Sequence, residues 1–257
     1  MKFSIITPTY KRAEKLQRAI DSVRAQKYSD WEMIIINDTP HAEGYSSVEE
    51  FVRKDHRITY IVNEQNSGVN FSRNRGLQNI AQDSDWVIFL DDDDYFTPDA
   101  LSELARIISE RPDENWIVTG RGYVNGTSLT IAPKNTTHYD YARDYLIFRR
   151  FQGDATHCIR SSALRSINFS HEVKQGDEWV FYFQLGLKND IYYDKIITTF
   201  SDGYDEQSGL NNRVRKTSQQ LNTLKLIFKE AKQRGYSHKP SFLVYFTMRI
   251  IRAFIKR

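Results

Sequence analysis

Four consecutive aspartates, Asp91–Asp94, follow the apolar run WVIFL at 86–90. Carboxylates this close repel one another unless a cation sits among them. Their hard oxygens suit Mg²⁺ or Mn²⁺, which keep water and take phosphate oxygens as further ligands. A solvated acidic turn or a helix cap would use the same residue types. The apolar run in front of them tips the reading towards a metal, because it places the cluster at the end of a buried strand. His157 and Cys158 have no second His or Cys nearby, so they suit packing better than metal binding. No nucleophile–His–acid signature stands out.

The elements that must position these aspartates alternate along the first half. Apolar runs at 2–7, 31–37, 58–63 and 86–90 read as buried strands. Stretches at 13–27, 46–55, 72–83 and 98–110 read as helices, the first with Leu16, Ala19, Ile20 and Val23 on one face. Such alternation predicts an α/β fold with a mostly parallel sheet flanked by helices. Ligands of such sheets lie outside the carboxyl ends of the strands. Thr7–Arg12, Asn37–Pro40, Asn66–Gly76 and Asp91–Asp94 each follow a strand, so they are expected to meet at one edge.

Beyond Trp116 the pattern loosens. Strands are expected at 117–124 and 128–132 around an Asn125–Gly126 turn, and at 156–160 and 192–200. Helices are expected at 139–151, 178–187, 218–234 and 241–257, with a polar loop at 201–212.

Composition sets bounds. The chain has 257 residues, enough for one large domain or two joined lobes. Its 40% hydrophobic and 27% charged residues are ordinary for a globular protein. A net charge of +3 gives no argument for nucleic acid. The single cysteine allows no internal disulfide and points to a reducing, cytoplasmic compartment. No signal peptide and no membrane-spanning run are expected. No G-x-G-x-x-G follows the first strand, which sets aside a dinucleotide-dependent oxidoreductase.

Four motifs in order resemble family-2 glycosyltransferases, which have the GT-A fold. SIITPTYKR is similar to the family's P-x-Y/F-N/K-R loop through Thr7, Pro8, Thr9, Tyr10 and Arg12. IINDTP is similar to the D-D-G/S loop, with Asp38 at the aspartate that contacts the pyrimidine ring in the family. Thr39–Pro40 depart from the small residue usual there, so the base pocket is expected to differ in shape. NSGVNFSRNRG resembles N-x-G-x-x-x-A-R-N-x-G through Asn66, Gly68, Arg73 and Asn74, and Gly68 would permit a tight turn. IFLDDDDYF resembles the F-L-D-x-D-D segment. The resemblance implies that Asp91 faces the donor ribose or the metal, that Asp92 belongs to the donor site, and that Asp93 binds the Mn²⁺ or Mg²⁺ bridging the diphosphate. It also brings Arg73 to the base or diphosphate. The likeness is strong over roughly 1–125 and weaker over 155–200.

Direct displacement at a sugar carbon needs a base for the acceptor hydroxyl's proton. The family takes it from a Glu-Asp pair opening a helix. Here the order is reversed in QGDEW, which sets Glu178 on the base and Asp177 beside it. Helix capping by acids is the plainer alternative. Family members often carry a metal-completing His on a later loop. SDGYDEQSGLNNR has none, leaving Asp205, Glu206 or Gln207 as substitutes and Arg213 or Arg215 as cations for the diphosphate.

The resemblance implies an inverting, metal-dependent, non-processive glycosyltransferase. It would move one sugar from a nucleotide-diphosphate sugar, a UDP-sugar first of all, to a glycan or lipid-linked glycan in cell-surface polysaccharide or lipooligosaccharide synthesis. A nucleotidyltransferase making nucleotide sugars and a catalytically inactive homologue are the alternatives. The expected division is a nucleotide-sugar half at 1–125, a smaller acceptor half at 126–212 and C-terminal helices at 213–257. The stretch 241–257 carries Arg249, Arg252 and Lys256 on one face. It is too charged to cross a bilayer. Two readings stay open: peripheral contact with the inner face of the cell membrane, or packing on the domain or in a homodimer.

Overall fold

The computed structural model describes residues 1–257 except 43, 133–136, 139, 172–177, 186–189, 201–216, 234, 236 and 256–257. Its strands are β1 (Phe3–Thr9), β2 (Trp31–Asn37), β3 (Ile58–Val62), β4 (Trp86–Phe89), β5 (Asp94–Phe96), β6 (Trp116–Tyr123), β7 (Thr137–His138), β8 (Ala155–Arg160) and β9 (Asp190–Phe200). They form one sheet in the order β3-β2-β1-β4-β8-β6-β9-β5, with β7 beside β9. The first four are parallel. From β8 onward the sheet is mixed: β8 runs antiparallel to β4 and β6, β9 parallel to β6, and β5 antiparallel to β9. The helices are α1 (Ala13–Arg24), α2 (Ser46–Lys54), α3 (Val69–Leu77), α4 (Ala100–Glu110), α5 (Glu178–Leu185), α6 (Thr217–Gln233) and α7 (Pro240–Ile255).

The apolar runs form strands because both faces of the sheet are covered. Alternate residues go to opposite sides. Phe3, Ile5, Met33, Ile35, Trp86 and Ile88 pack with α1, α2 and α4, whose Leu16, Ile20, Val48, Leu101 and Leu104 complete that core. Ile6, Ile34, Ile36 and Val87 join Trp116, Phe169, Phe181, Leu224 and Phe242 on the other side. Each large side chain buried in this way contributes about 1.5–3 kcal/mol. The stripe expected on α1 is fully buried at Leu16, Ala19, Ile20 and Val23. Helix α3 approaches β1 so closely that a Cβ on Gly76 would lie 2.4 Å from Ile6 Cγ2.

Three elements depart from the sequence reading. The expected strand at 128–132 is reduced to single bridges, Gly122 to Ser128 and Ile131 to Gln152. Side chains take the ladder's partners there: Thr130 Oγ1 accepts from Arg121 N at 2.8 Å, and Ser128 Oγ donates to Thr130 O at 2.7 Å. The expected helix at 139–151 is a π-helical turn, Tyr141–Ile147, capped by Asp140, whose side chain accepts from Arg143 N. A short strand that the sequence reading did not include, β5, opens at Asp94 and pairs antiparallel with β9.

Candidate active site

The chain enters the sheet at β1, builds β2 and β3 to one side, then returns to place β4 on the other. Parallel strands splay apart at such a reversal and leave a crevice at their carboxyl ends. The Thr9–Arg12 and Asp91–Asp93 segments meet at this end of the sheet, Thr9 bonding to Asp92 and Arg12 reaching Asp92 and Asp93. The convergence expected from sequence is present.

Asp38 ties the β2 and β3 ends together. It is buried, and Oδ1 accepts from Asn63 Nδ2 at 2.7 Å and from Ser67 N at 2.9 Å. Oδ2 accepts from Gly68 N at 2.7 Å. Most of the carboxylate's roughly four acceptor sites therefore hold the loop that leads into α3. Gly68 has φ 89° and ψ 162°, a conformation open in practice only to glycine. Asn66 is exposed on the same loop. Thr39 steadies the neighbouring β1 loop, because its Oγ1 accepts from the N–H of Lys11, whose φ is 55°.

The β1 end is held through a relay. The Arg12 N–H donates to Tyr45 Oη at 3.0 Å, Tyr45 Oη lies 3.0 Å from Thr9 Oγ1, and Thr9 Oγ1 donates to Asp92 Oδ2 at 2.8 Å. The Arg12 guanidinium reaches Asp92 at 3.3 Å and Asp93 at 2.9 Å. Burial, and then the charge of Asp93, push the Asp92 carboxyl up to about 7. Thr7 and Pro8 are buried within β1, while Tyr10 stands exposed at the lip.

Arg73 is the buried centre of the other wall. Nη2 lies 2.8 Å from Asp91 Oδ1 and Nη1 lies 2.6 Å from Glu178 Oε1, at the first residue of α5. Its guanidinium carbon lies 5.4 Å from the centroid of the Phe169 ring. Burial disfavours the charge on Arg73, but Glu178 and Asp91 outweigh it and hold the guanidinium above its ordinary value. Burial likewise works against charge on Asp91, yet Arg73 and then Arg121 keep that carboxyl below the usual range. Asn74 fastens the second half of the chain to α3: Nδ2 donates to Phe169 O at 2.9 Å and Oδ1 accepts from Phe169 N at 2.8 Å. Asn70 Nδ2 adds a bond to Ser170 O at 3.1 Å.

The four aspartates thus divide. Asp92 is buried under the β1 loop, and Asp94 is buried in an ion pair with Arg121. Asp91 and Asp93 keep 36% and 32% of their side-chain surface exposed at the strand ends. These hard oxygens fit a divalent cation, although each aspartate already gives one oxygen to an arginine. Among the described residues no three His, Cys, Asp or Glu side chains are grouped as a ready-made metal cage. The fit therefore needs phosphate and water oxygens to complete it. Asp177, Asp205, Glu206, Gln207, Arg213 and Arg215 lie outside the described residues.

Sequence reasoning missed Tyr45, Asn63, Ser67 and Arg121. Asn63 left a signal, because a lone Asn closes the β3 run as Asn37 closes the β2 run. Tyr45 left none, since its hydroxyl acts 33 residues from Arg12.

A sheet reversal with two half-buried aspartates and an arginine-held glutamate gathered at its strand ends, on a sheet flanked by helices, defines the GT-A class. Residues 4–173 match glycosyl transferase family 2, and the chain belongs to that family. It is 27% identical over 205 residues to the GalNAc(5)-diNAcBac-PP-undecaprenol beta-1,3-glucosyltransferase of Campylobacter jejuni, covering 76% of this chain and 62% of that protein. It is 42% identical over 140 residues to the putative colanic acid biosynthesis glycosyl transferase WcaA of Escherichia coli, covering 51% of this chain and 49% of that protein. The chain therefore spans about half to three fifths of the length of these relatives. The crystal structure of S. aureus TarS 1-349 in complex with UDP-GlcNAc shares the fold at TM-score 0.73 and 21% identity, over 90% of this chain and 66% of that one.

Proposed function

We propose that this chain is an inverting glycosyltransferase that moves one sugar from a nucleotide-diphosphate sugar, a UDP-sugar first of all, to an acceptor hydroxyl. The observation that carries the reading is Arg73, which joins Asp91 on the donor side to Glu178 on the acceptor side. The UDP-GlcNAc in the TarS complex supports the choice of donor. The undecaprenol-linked substrate named for the C. jejuni relative supports a glycan or lipid-linked glycan acceptor. Residues 1–125 serve the donor and 126–212 the acceptor.

Asp93 and Asp91 would hold Mn²⁺ or Mg²⁺, which when bound offsets the charge of the leaving diphosphate. Asp38 and Gly68 shape the base pocket at the β2 and β3 ends, with Tyr10 at its lip. Arg73 fixes Oε1 of Glu178, so the other carboxylate oxygen takes the acceptor's proton. One base and one displacement give inversion. Glu178 suits this place also because a helix N-terminus favours a carboxylate.

The test is release of nucleoside diphosphate from a set of nucleotide sugars with Mn²⁺ or Mg²⁺. Wild type is compared with Glu178→Gln and Asp93→Ala. Turnover should fall at least about a hundredfold in each. Full activity of Glu178→Gln would reject the base assignment, and pyrophosphate formation from a nucleoside triphosphate would reject the reaction class.

A further inference from the structure

The apolar stretch at the end of the chain folds as α7, and its residues separate by face. Phe242 is buried, and Tyr245, Phe246 and Ile250 are half-buried in the core that includes Leu224 and Ile227 of α6. Leu243, Val244, Met248, Ile251 and Phe254 are all exposed. At the helical repeat these five fall within one arc of about 140°. Nothing among the described residues covers that arc. A helix with an apolar face this wide is ordinarily buried against something, so it calls for an occupant.

Charge selects the occupant. From residue 231 to 257 the sequence holds seven Lys and Arg and no Asp or Glu. On α6, Lys225, Lys229 and Lys232 are exposed at i, i+4 and i+7, and Phe228 lies on the same stripe. Phe228 is 40% exposed, and its ring centroid lies 5.2 Å from that of Phe246 on α7. The lysine stripe therefore borders the apolar arc. A second copy of this chain would bring like charge against like charge across a self-complementary interface. An anionic bilayer satisfies both features: the arc enters the acyl boundary and the lysines meet lipid phosphates.

We propose that α7, rimmed by the lysines of α6, is an interfacial helix that lays this protein flat on an anionic lipid surface. The helix is about 24 Å long and lies in the plane of the surface. No described helix is long and apolar enough to cross a membrane.

The experiment is flotation of the full chain with vesicles of phosphatidylcholine alone or mixed with phosphatidylglycerol. Recovery is expected with the mixed vesicles only, and raised salt should reduce it. Val244→Glu with Ile251→Glu should weaken binding at least about tenfold. Lys225→Gln, Lys229→Gln and Lys232→Gln together should do the same. All five positions are exposed, so unchanged thermal melts confirm that the fold persists. Equal recovery with neutral and anionic vesicles, or unchanged recovery of both variants, overturns the proposal. So does a dimer in sedimentation that Ile251→Glu dissolves while no vesicle is bound, because the arc would then belong to a second copy. Flotation needs no donor or acceptor, so it stands or falls apart from the sugar-transfer reading.

Discussion

Arg73 Nη1 lies 2.6 Å from Glu178 Oε1, across 105 residues of chain. The same guanidinium binds Asp91, so one planar fork sets the spacing between two carboxylates from different halves of the molecule. Lysine is a point charge and cannot hold both at that geometry. Arg73→Lys should lower kcat about 10- to 100-fold, with a Tm loss of only a few degrees. Combined with Glu178→Gln it should cost little beyond the worse single variant, because residues acting as a unit are not additive. Additive losses in steady-state kinetics would show that Arg73 acts elsewhere.

The aspartate run offers a sharper separation. Asp94 is paired with Arg121 inside the sheet edge, whereas Asp93 is a third exposed. Breaking a buried pair from one side costs about 3–5 kcal/mol. Asp94→Asn should therefore lower Tm strongly while leaving Mn²⁺ binding in the presence of UDP near wild type. Asp93→Asn should do the reverse, weakening that binding at least about tenfold. Calorimetric titration and thermal melts on the same preparations decide it. Weak metal binding in Asp94→Asn with an unchanged Tm would exchange the two roles.

The motif resemblance singled out Asp91 and Asp93 for the metal, but the pairing that buries Asp94 against Arg121 was not written in a run of four identical residues. The parallel half was legible because apolar runs buried on both faces, such as Ile34–Ile36, have one plausible structure. The crevice was legible for the same reason, since strand ends in a parallel sheet must share an edge. Partners distant in sequence were not legible. Arg121 lies 27 positions beyond Asp94, and Arg73 meets Glu178 only after the sheet has formed. The lost strand at 128–132 was hidden by Thr130, whose hydroxyl competes with the ladder in a way that alternation cannot reveal.

Asp38 invites a test of whether it shapes the pocket or only contacts a ligand. Three donors converge on it, two of them backbone N–H groups at Ser67 and Gly68. Asp38→Ala leaves these donors without a partner, at about 1–3 kcal/mol for a buried group. The expected outcome is a lower Tm and weaker UDP binding together. Gly68→Ala forces φ 89° on a residue with a Cβ, and it should reproduce the UDP defect although Asp38 is intact. Unchanged UDP affinity in Gly68→Ala would confine Asp38 to direct ligand contact.

His157 predicts a pH dependence of stability. Its Nδ1 accepts the Trp116 indole N–H at 3.1 Å, and its ring stacks on Tyr182 with centroids 3.9 Å apart. Burial first, and the nearby Arg121 second, hold its pKa down at about 3. An unfolded chain binds this proton below about 6.5. Between those limits the unfolded state takes up a proton that the folded state refuses, so the contribution is complete above about 6.5 and is lost as pH falls towards 3. The loss is about 1.4 kcal/mol per pH unit, or about 2 kcal/mol at pH 5. Asp92 acts in the opposite sense: its folded value near 7 lies above the ordinary carboxylate, so its contribution is lost as pH rises through the same window. The readout must therefore be the difference between two chains. His157→Gln keeps an acceptor for Trp116 and removes the titration. Urea unfolding from pH 7 to 5 should show a flatter decline in the variant by about 2 kcal/mol. Parallel curves would mean that His157 is protonated in the fold and that the Trp116 bond is made some other way.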